Sequence, residues 1–461
     1  MALPPGPWTP GIFNLLGWMA DPTASFERAF REHGDLYTAK IPIYGTEVVV
    51  SHPDLVKQIF TGDPDVYNAG EANRTVAHVV GDRSVLVLDG REHRRERKLL
   101  MPPFHGERLG IYTDVMRGLT DDLIDALPLG AEVALLPHLQ RLTFDVILHT
   151  VFGVSEGAAI AVLRDRLTEL MDRGQSPQGM LYMMPAMQKD LGPLTGWAAF
   201  KRALAAADAA IYAVIAEARA AAAKATGPQR SDVLSLLLAA VDEEGQPMSD
   251  QELRDELITI LIAGHETTAT ALAWAVDAIG RRPEVLGRIL EEVRAAPEGA
   301  AHRAPLPYLD ATIKEVLRQR PLASMVVRKT AGPVTLREHE IPVGTYLVVC
   351  VYNVQRHPDF WEAPDELRPE RFLDRKIDPY AWLPFGGGAR RCIGVAFALM
   401  EMRVVLATLF ARVRLRLPDP PAKVGLRGFI FAPKGGGRVV VEERGARLRG
   451  GRNVLGEDED A

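Results

Sequence analysis

The residues best equipped for chemistry in this chain gather around one cysteine. The run Leu383-Pro384-Phe385-Gly386-Gly387-Gly388-Ala389-Arg390-Arg391-Cys392-Ile393-Gly394 reads as a glycine-rich loop that delivers Cys392 to the start of a helix continuing through Glu401. Thiolate is the form of cysteine that ligates metal, and it is favoured by nearby cations and by the positive end of a helix. Arg390 and Arg391 supply the cations and the helix start supplies the dipole. Glycines beside the cysteine let a flat macrocycle approach the backbone, because they carry no Cβ. A lone Gly-Gly-Gly-x-x-x-Cys is more often a flexible loop beside a structural cysteine, so its neighbours in the sequence decide the reading. A nucleotide-binding loop fails here: Gly386-x-Gly388-x-x-Arg391 lacks the third glycine and has no strand-turn-helix context with a downstream acid.

Two further groups lie upstream. Glu315 and Arg318 are three apart on a predicted helix, share a face and can pair with a third partner, for which Arg371 in Pro369-Glu370-Arg371-Phe372 is available. The segment Ala263-Gly264-His265-Glu266-Thr267-Thr268 sits mid-way along the clearest long helix. Glycine costs about 1 kcal/mol relative to alanine there and threonine competes for backbone bonds, so a local distortion with a functional reason is expected. His265-Glu266-Thr267-Thr268-Ala269 begins like a zinc-protease motif but has no second histidine four residues on.

The elements that must position these groups are mostly helical. The long helix opens at Ser249, which caps while Glu252 reaches back, and runs without proline to about Ile279. Apolar periodicity predicts further helices over Ser25–Gly34, Arg91–Met101, Arg108–Ala126, Leu139–Val151, Ala203–Ala223 and Asp232–Val241. Strand-like runs are short and terminal: Leu36–Ile43, Thr46–Ser51, Met325–Lys329, Tyr346–Val351 and Arg438–Glu442. First and last runs are expected to share one sheet. The fold class is therefore mainly α with small β-sheets. No repeat or Gly/Ser-rich linker divides the chain, so residues 1–445 read as one large domain. Residues 446–461 read as a disordered acidic tail with too little apolar content to order itself.

In this order and spacing the motifs resemble those of the cytochrome P-450 family, the haem-thiolate monooxygenases of soluble bacterial type. Its Phe-x-x-Gly-x-Arg-x-Cys-x-Gly signature stands as Phe385, Gly388, Arg390, Cys392 and Gly394, its Glu-x-x-Arg as Glu315 and Arg318, and its Ala-Gly-x-Glu-Thr as Ala263 to Thr267. The resemblance runs from Pro4 to about Val441. It implies heme b (iron protoporphyrin IX) held between the long central helix and the cysteine loop, with Cys392 as the iron ligand. Glu315, Arg318 and Arg371 then form a structural network behind the haem. It also implies that His93, Arg97, Arg328 and Arg390 meet the propionates, with His93 where many relatives carry tryptophan; both residues can donate to a carboxylate. Thr267 and Glu266 resemble the acid-alcohol pair, the hydroxyl holding a water beside dioxygen and the acid relaying protons, with Gly264 opening the helix to make room. A thiolate ligand promotes O–O cleavage.

The resemblance implies a monooxygenase that uses two externally supplied electrons, from a ferredoxin or flavodoxin with its NAD(P)H reductase. The substrate is expected to be an apolar small molecule such as a fatty acid, terpenoid, steroid or polyketide. The pocket is expected to draw on Val85–Leu88, Ile262–Thr267, Leu322–Val327 and Phe429–Phe431. Met180, Met183, Met184 and Met187 read as core before pocket roof. Arg91, Arg94, Arg95, Arg97 and Lys98 suggest a basic docking face for an acidic electron donor. A peroxide-driven enzyme sits poorly with Glu266-Thr267, and a haem sensor would need an output domain.

Composition agrees. Among 461 residues, 47% hydrophobic, the net charge of −6 argues against nucleic acid as a partner. Two cysteines, Cys350 and Cys392, are too few for a disulfide scaffold and fit a reducing, cytoplasmic setting. Neither a signal peptide nor a stretch of about 18 apolar residues is present, so no membrane anchor is expected.

Overall fold

The computed structural model describes residues 3–7, 9, 11–41, 45–104, 110–153, 158–175, 179, 182, 188–189, 196–224, 232–297 and 304–447. Its axis is the helix Asp250–Gly280, 31 residues and so about 46 Å long. The capping box forms as expected: Ser249 Oγ accepts from Glu252 N at 3.2 Å, and the Glu252 carboxylate accepts from Ser249 N at 2.7 Å. The helix packs against Leu135–Phe152, Trp197–Lys224, Pro283–Ala295, Pro307–Gln319 and Val395–Arg412. Leu253, Leu257, Leu261, Leu272, Trp274 and Val276 are accordingly buried on several sides of it. A helix with no polar face belongs in the interior. It runs unbroken through Gly264, so the expected distortion is absent from its helical course.

The other predicted helices appear as Pro22–His33, Gly90–Leu100, Thr113–Ala126, Leu135–Phe152, Trp197–Lys224 and Val233–Ala239. The sheet expectation needs correction. Leu36–Ile41, Gly45–Val50, Tyr346–Val349, Val326–Thr330 and Tyr67–Asn68 do form one sheet in that order. Arg438–Arg444 instead pairs with Glu132–Ala134 and Val413–Arg416 in a separate sheet. Alternating burial marks a strand but carries no information about its partner. Gly45–Val50 lies parallel to Tyr346–Val349, a pairing between segments some three hundred residues apart.

The tail expectation falls mostly outside the described residues. Ala446 and Arg447 are described: the Ala446 carbonyl accepts from Arg412, and Arg447 pairs with Asp122 and Asp125. The four methionines from Met180 to Met187 also lie outside the described residues. Among the described residues no helix is long and apolar enough to cross a membrane.

Glu47 occupies a buried position in the strand Gly45–Val50, and its Oε2 has no hydrogen-bond partner among the described residues. Burial pushes its carboxyl from an ordinary 4.5 up to about 7. The folded chain thus keeps a proton that the unfolded chain releases, and this group's contribution to stability, fully present below the unfolded value, is lost as pH rises through that interval. At about 1.4 kcal/mol per pKa unit the loss is ~3 kcal/mol. E47Q is therefore expected to melt above the wild type at pH 8 and close to it at pH 5. An identical difference at both pH values would show that this carboxyl does not titrate in that interval.

Candidate active site

The cysteine loop is shaped by contacts with the helix Pro53–Thr61. Gly386 and Gly388 have φ of +63° and +62°, a region that favours glycine. A Cβ on Gly388 would stand 2.1 Å from the Phe60 carbonyl oxygen, and one on Gly387 would strike the Phe60 ring at 2.6 Å. These glycines are thus required by the turn and by the close approach of Phe60. G388A is expected to lower the denaturant midpoint by the equivalent of roughly 1–3 kcal/mol, since both backbone strain and the clash must be relieved. An unchanged midpoint would mean that the loop yields freely.

Cys392 N donates to the Phe385 carbonyl at 2.9 Å, closing the loop, and Phe385 packs edge-on to Trp382. Cys392 is exposed, whereas Cys350 is buried. Although open on one side, the Cys392 thiol is otherwise enclosed by protein, and this desolvation pushes it above its ordinary value. The Gly394 N–H, Arg97 and Arg391 act in the opposite direction and do not prevail. Of the two flanking arginines expected to favour thiolate, Arg391 does act in that direction but is outweighed by desolvation. Arg390 points elsewhere, to the Val85 and Leu88 carbonyls and, at 2.6 Å, to the Asp89 carboxylate. A bound metal displaces the thiol proton itself.

His93, Arg97, Arg328 and Arg390 converge, as expected from the sequence. His93 is buried and held down to about 3, first by desolvation and then by Arg390, Arg97, Arg328 and Arg94. Arg328 is buried over the Phe60 ring at 5.0 Å and pushed down to about 10 by desolvation and by Arg390. Arg390 is likewise lowered to about 10, chiefly by burial. Asp89 is the acid that faces Arg390, and its oxygens also accept the backbone N–H groups of Ala69, Gly70 and Glu71 at 3.0, 2.8 and 2.7 Å. Mutually repelling buried cations with so little counter-charge fit a ligand bearing carboxylates, and the exposed thiol beside Arg97 fits a metal in it. Sequence reading missed Asp89. It precedes the helix Gly90–Leu100 like a cap, yet makes no cap bond there and acts on a residue 301 positions away.

Behind the loop, Glu315 and Arg318 are fully buried and bonded twice, at 2.7 and 2.9 Å, with Arg371 Nε 3.3 Å from the same carboxylate. Arg318 also donates to the Gln355 and Pro364 carbonyls. Gln355, which the sequence did not single out, completes the link: its amide donates to the Arg318 carbonyl at 2.8 Å, and its Oε1 accepts from Leu383 N at 2.8 Å. The network thus reaches the first residue of the cysteine loop.

On the central helix, Ala263 is exposed and Ile262, Gly264 and Thr267 are half-buried, amid turns that are otherwise buried. Open space therefore borders this stretch inside the fold. The Thr267 hydroxyl donates to the Ala263 carbonyl at 2.6 Å, and Thr268 does the same to Gly264 at 3.0 Å. Glu266 turns away into the protein: Arg427 Nε lies 2.8 Å from Oε1, and Gln140 donates to Oε2 at 2.6 Å. Gly264 has a different purpose from the one expected. A Cβ there would meet Ile147 Cδ1 at 2.4 Å, so the glycine admits the neighbouring helix. His265 is buried against Phe144 and bonded to Thr143, and desolvation lowers it to about 4.

Two other expectations change. Phe431 is buried core, tilted against Phe26 and edge-on to Tyr352, with its carbonyl taken by Trp274 Nε1 at 2.8 Å. The basic docking face is largely neutralised: Arg91 pairs with Glu244, Arg95 with Asp242, and Lys98 with Glu243. Half-buried Arg97 belongs to the cluster beside the thiol, and of the exposed Arg91, Arg94 and Lys98 only Arg94 has no ion pair among the described residues.

The chain is a mainly helical fold around one long helix, with an exposed thiol beside a cluster of cationic side chains. The cytochrome P450 family model matches residues 3–437. Cytochrome P450 135B1 of Mycobacterium bovis is 34% identical over 97% of this chain and 91% of its own. Cytochrome P450 138 of Mycobacterium tuberculosis is 35% identical over 96% and 97%. Among solved structures, the retinoic-acid-bound cyanobacterial CYP120A1 superposes with a TM-score of 0.81 at 24% identity, covering 96% of this chain and 100% of that one. The heme domain of cytochrome P450DA gives 0.82 at 24%, over 96% and 98%. This chain belongs to the cytochrome P450 family, and it is a haem-b-carrying monooxygenase.

Proposed function

We propose that Cys392 is the iron ligand, that His93, Arg97, Arg328 and Arg390 hold the propionates, and that the chain oxidises an apolar small molecule, a fatty acid, terpenoid, steroid or polyketide, with electrons from a ferredoxin or flavodoxin. The observation that carries this reading is the exposed thiol beside buried cations that depress one another. Haem b, when bound, supplies the activation of dioxygen, which a thiolate ligand favours.

The protein's own part is positioning. Phe385, Gly388 and Gly394 set the loop: the Phe385 carbonyl fixes the Cys392 backbone, and the Gly394 N–H points at the sulfur. His93, neutral at physiological pH, donates to a carboxylate without adding charge. With its proton committed to the Ala263 carbonyl, the Thr267 oxygen keeps lone pairs for a water on the open side. Glu266 serves as a proton reservoir only when its carboxylate leaves Arg427, so this side chain must swing. The apolar reading of the substrate is supported by Leu86, Ile262, Ala263, Leu322, Val326 and Phe429, which retain exposure.

Titrating the ferric, haem-loaded protein with a library of fatty acids, terpenoids, steroids and polyketides is expected to shift the Soret band for one apolar class, and that ligand should then be oxygenated with a ferredoxin or flavodoxin pair. Shifts confined to polar or charged compounds would overturn the substrate reading. Turnover with peroxide but with no reduced donor would overturn the electron-donor reading.

A further inference from the structure

Near the carboxyl end of the central helix lies a cavity of about 460 Å³, walled by Asp277, Arg281 and Arg282 from that helix end, by Gln319 and Arg320 from the end of the Glu-x-x-Arg helix, and by Arg356. Its electrostatics are unbalanced. Four guanidinium groups line it against two carboxylates, Asp277 and Asp365. Arg281 consumes Asp277 at 3.0 Å and also binds Asp419 and the Pro418 carbonyl. Arg282 donates to the Ala278 carbonyl at 2.9 Å. Asp365 is 88% exposed and stands 3.6 Å from Arg356, so solvent screens it.

Three buried donors in this wall, Arg356 Nε and Nη1 and Gln319 Nε2, lack an acceptor among the described residues. The Arg356 side chain is 10% exposed and lies over the Tyr352 ring at 3.9 Å; one nitrogen donates to the Gln319 carbonyl at 2.7 Å, while Nε, 3.6 Å from Asp365, and Nη1 have no hydrogen-bond acceptor among the described residues. Gln319 is 6% exposed and its Nε2 has no acceptor either among the described residues. Arg320 sits over the Trp274 ring at 5.1 Å with no hydrogen bond from its guanidinium among the described residues. Buried donors left without acceptors are costly and rare in native proteins, and each such case calls for a partner.

We infer that this cavity binds the phosphoryl group of a small phosphorylated molecule or pyrophosphate, at a site separate from the haem. A tetrahedral oxyanion offers several acceptors at once, guanidinium forks match its edges, and a charge near −2 balances the excess of arginines. The cavity exceeds a lone phosphoryl group, which leaves room for a short ester or a second phosphate. The site also adjoins the network behind the cysteine loop. Gln319 follows Arg318 and Arg356 follows Gln355, the two residues that tie Glu315 to the Leu383 backbone. An anion here braces that network from behind, so binding raises the stability of the folded protein by mass action.

The test is calorimetric titration of the haem-loaded protein with pyrophosphate at fixed ionic strength, beside inorganic phosphate and citrate, in the wild type, R320Q and R356Q. Arg320 makes no side-chain hydrogen bond among the described residues, so R320Q is expected to fold with an unaltered haem spectrum and decides the matter if R356Q does not fold. The expected result is one saturable site with a dissociation constant below ~1 mM, weakened at least tenfold in R320Q, and a melting midpoint raised by pyrophosphate in the wild type alone. Absence of saturable heat, or equal binding by R320Q, would overturn the site. Citrate binding as tightly as pyrophosphate would overturn its phosphoryl assignment.

Discussion

Replacing Cys392 with serine is expected to leave a folded chain whose reduced carbon monoxide complex lacks the strongly red-shifted Soret band of thiolate ligation, and whose monooxygenation falls below detection. A serine hydroxyl is far less acidic than a thiol and does not supply the soft, electron-rich ligand on which O–O cleavage depends. Cys350 offers no substitute. It is fully buried, and desolvation pushes its thiol up to about 12, so it neither ionises nor reaches a ligand. C350A should therefore retain the band. A red-shifted band in C392S, or its loss in C350A, would reassign the iron ligand.

The second large effect concerns Thr267. T267A is expected to bind haem and substrate and to consume reduced cofactor, because none of these steps needs the hydroxyl. More of the electrons should leave as hydrogen peroxide or water, since the water that the hydroxyl positions is no longer held. Loss of a positioned proton donor commonly costs about 100- to 10,000-fold in the step it serves. Thr268 is a poor replacement, being buried with its hydroxyl committed to the Gly264 carbonyl. Product, peroxide and cofactor consumption measured together settle the point: unchanged product per cofactor consumed in T267A would reduce this threonine to a helix-packing residue.

Much of the site's inventory was legible before any tertiary structure. Cys392 and the Glu315–Arg318 pair with Arg371 were named from motif and spacing, the group His93, Arg97, Arg328 and Arg390 from the family resemblance, and the structure brings the pair and the group together. Their partners were not legible. Asp89, Gln355 and Phe60 act on residues distant in the chain and carry no local motif of their own. Gly388 reads in sequence as flexibility, whereas the fold uses it for a left-handed turn pressed against Phe60.

What the amino-acid sequence determined by itself were features set within a few residues: the capping box at Ser249, the apolar run of the central helix, the strand segments, and the spacing that identifies the family. Tertiary structure decided the charges. The sequence shows a row of basic residues from Arg91 to Lys98, but the fold brings Asp242, Glu243 and Glu244 across them. It shows two arginines beside Cys392, but the fold turns Arg390 to Asp89 and encloses the thiol. It shows Glu266 next to Thr267, but the fold pairs that acid with Arg427. Caps and periodicity arise from bonds a turn or less apart, so they are written locally. Ionisation and pairing depend on burial and on which distant groups share a low-dielectric space, and only the packed chain determines that.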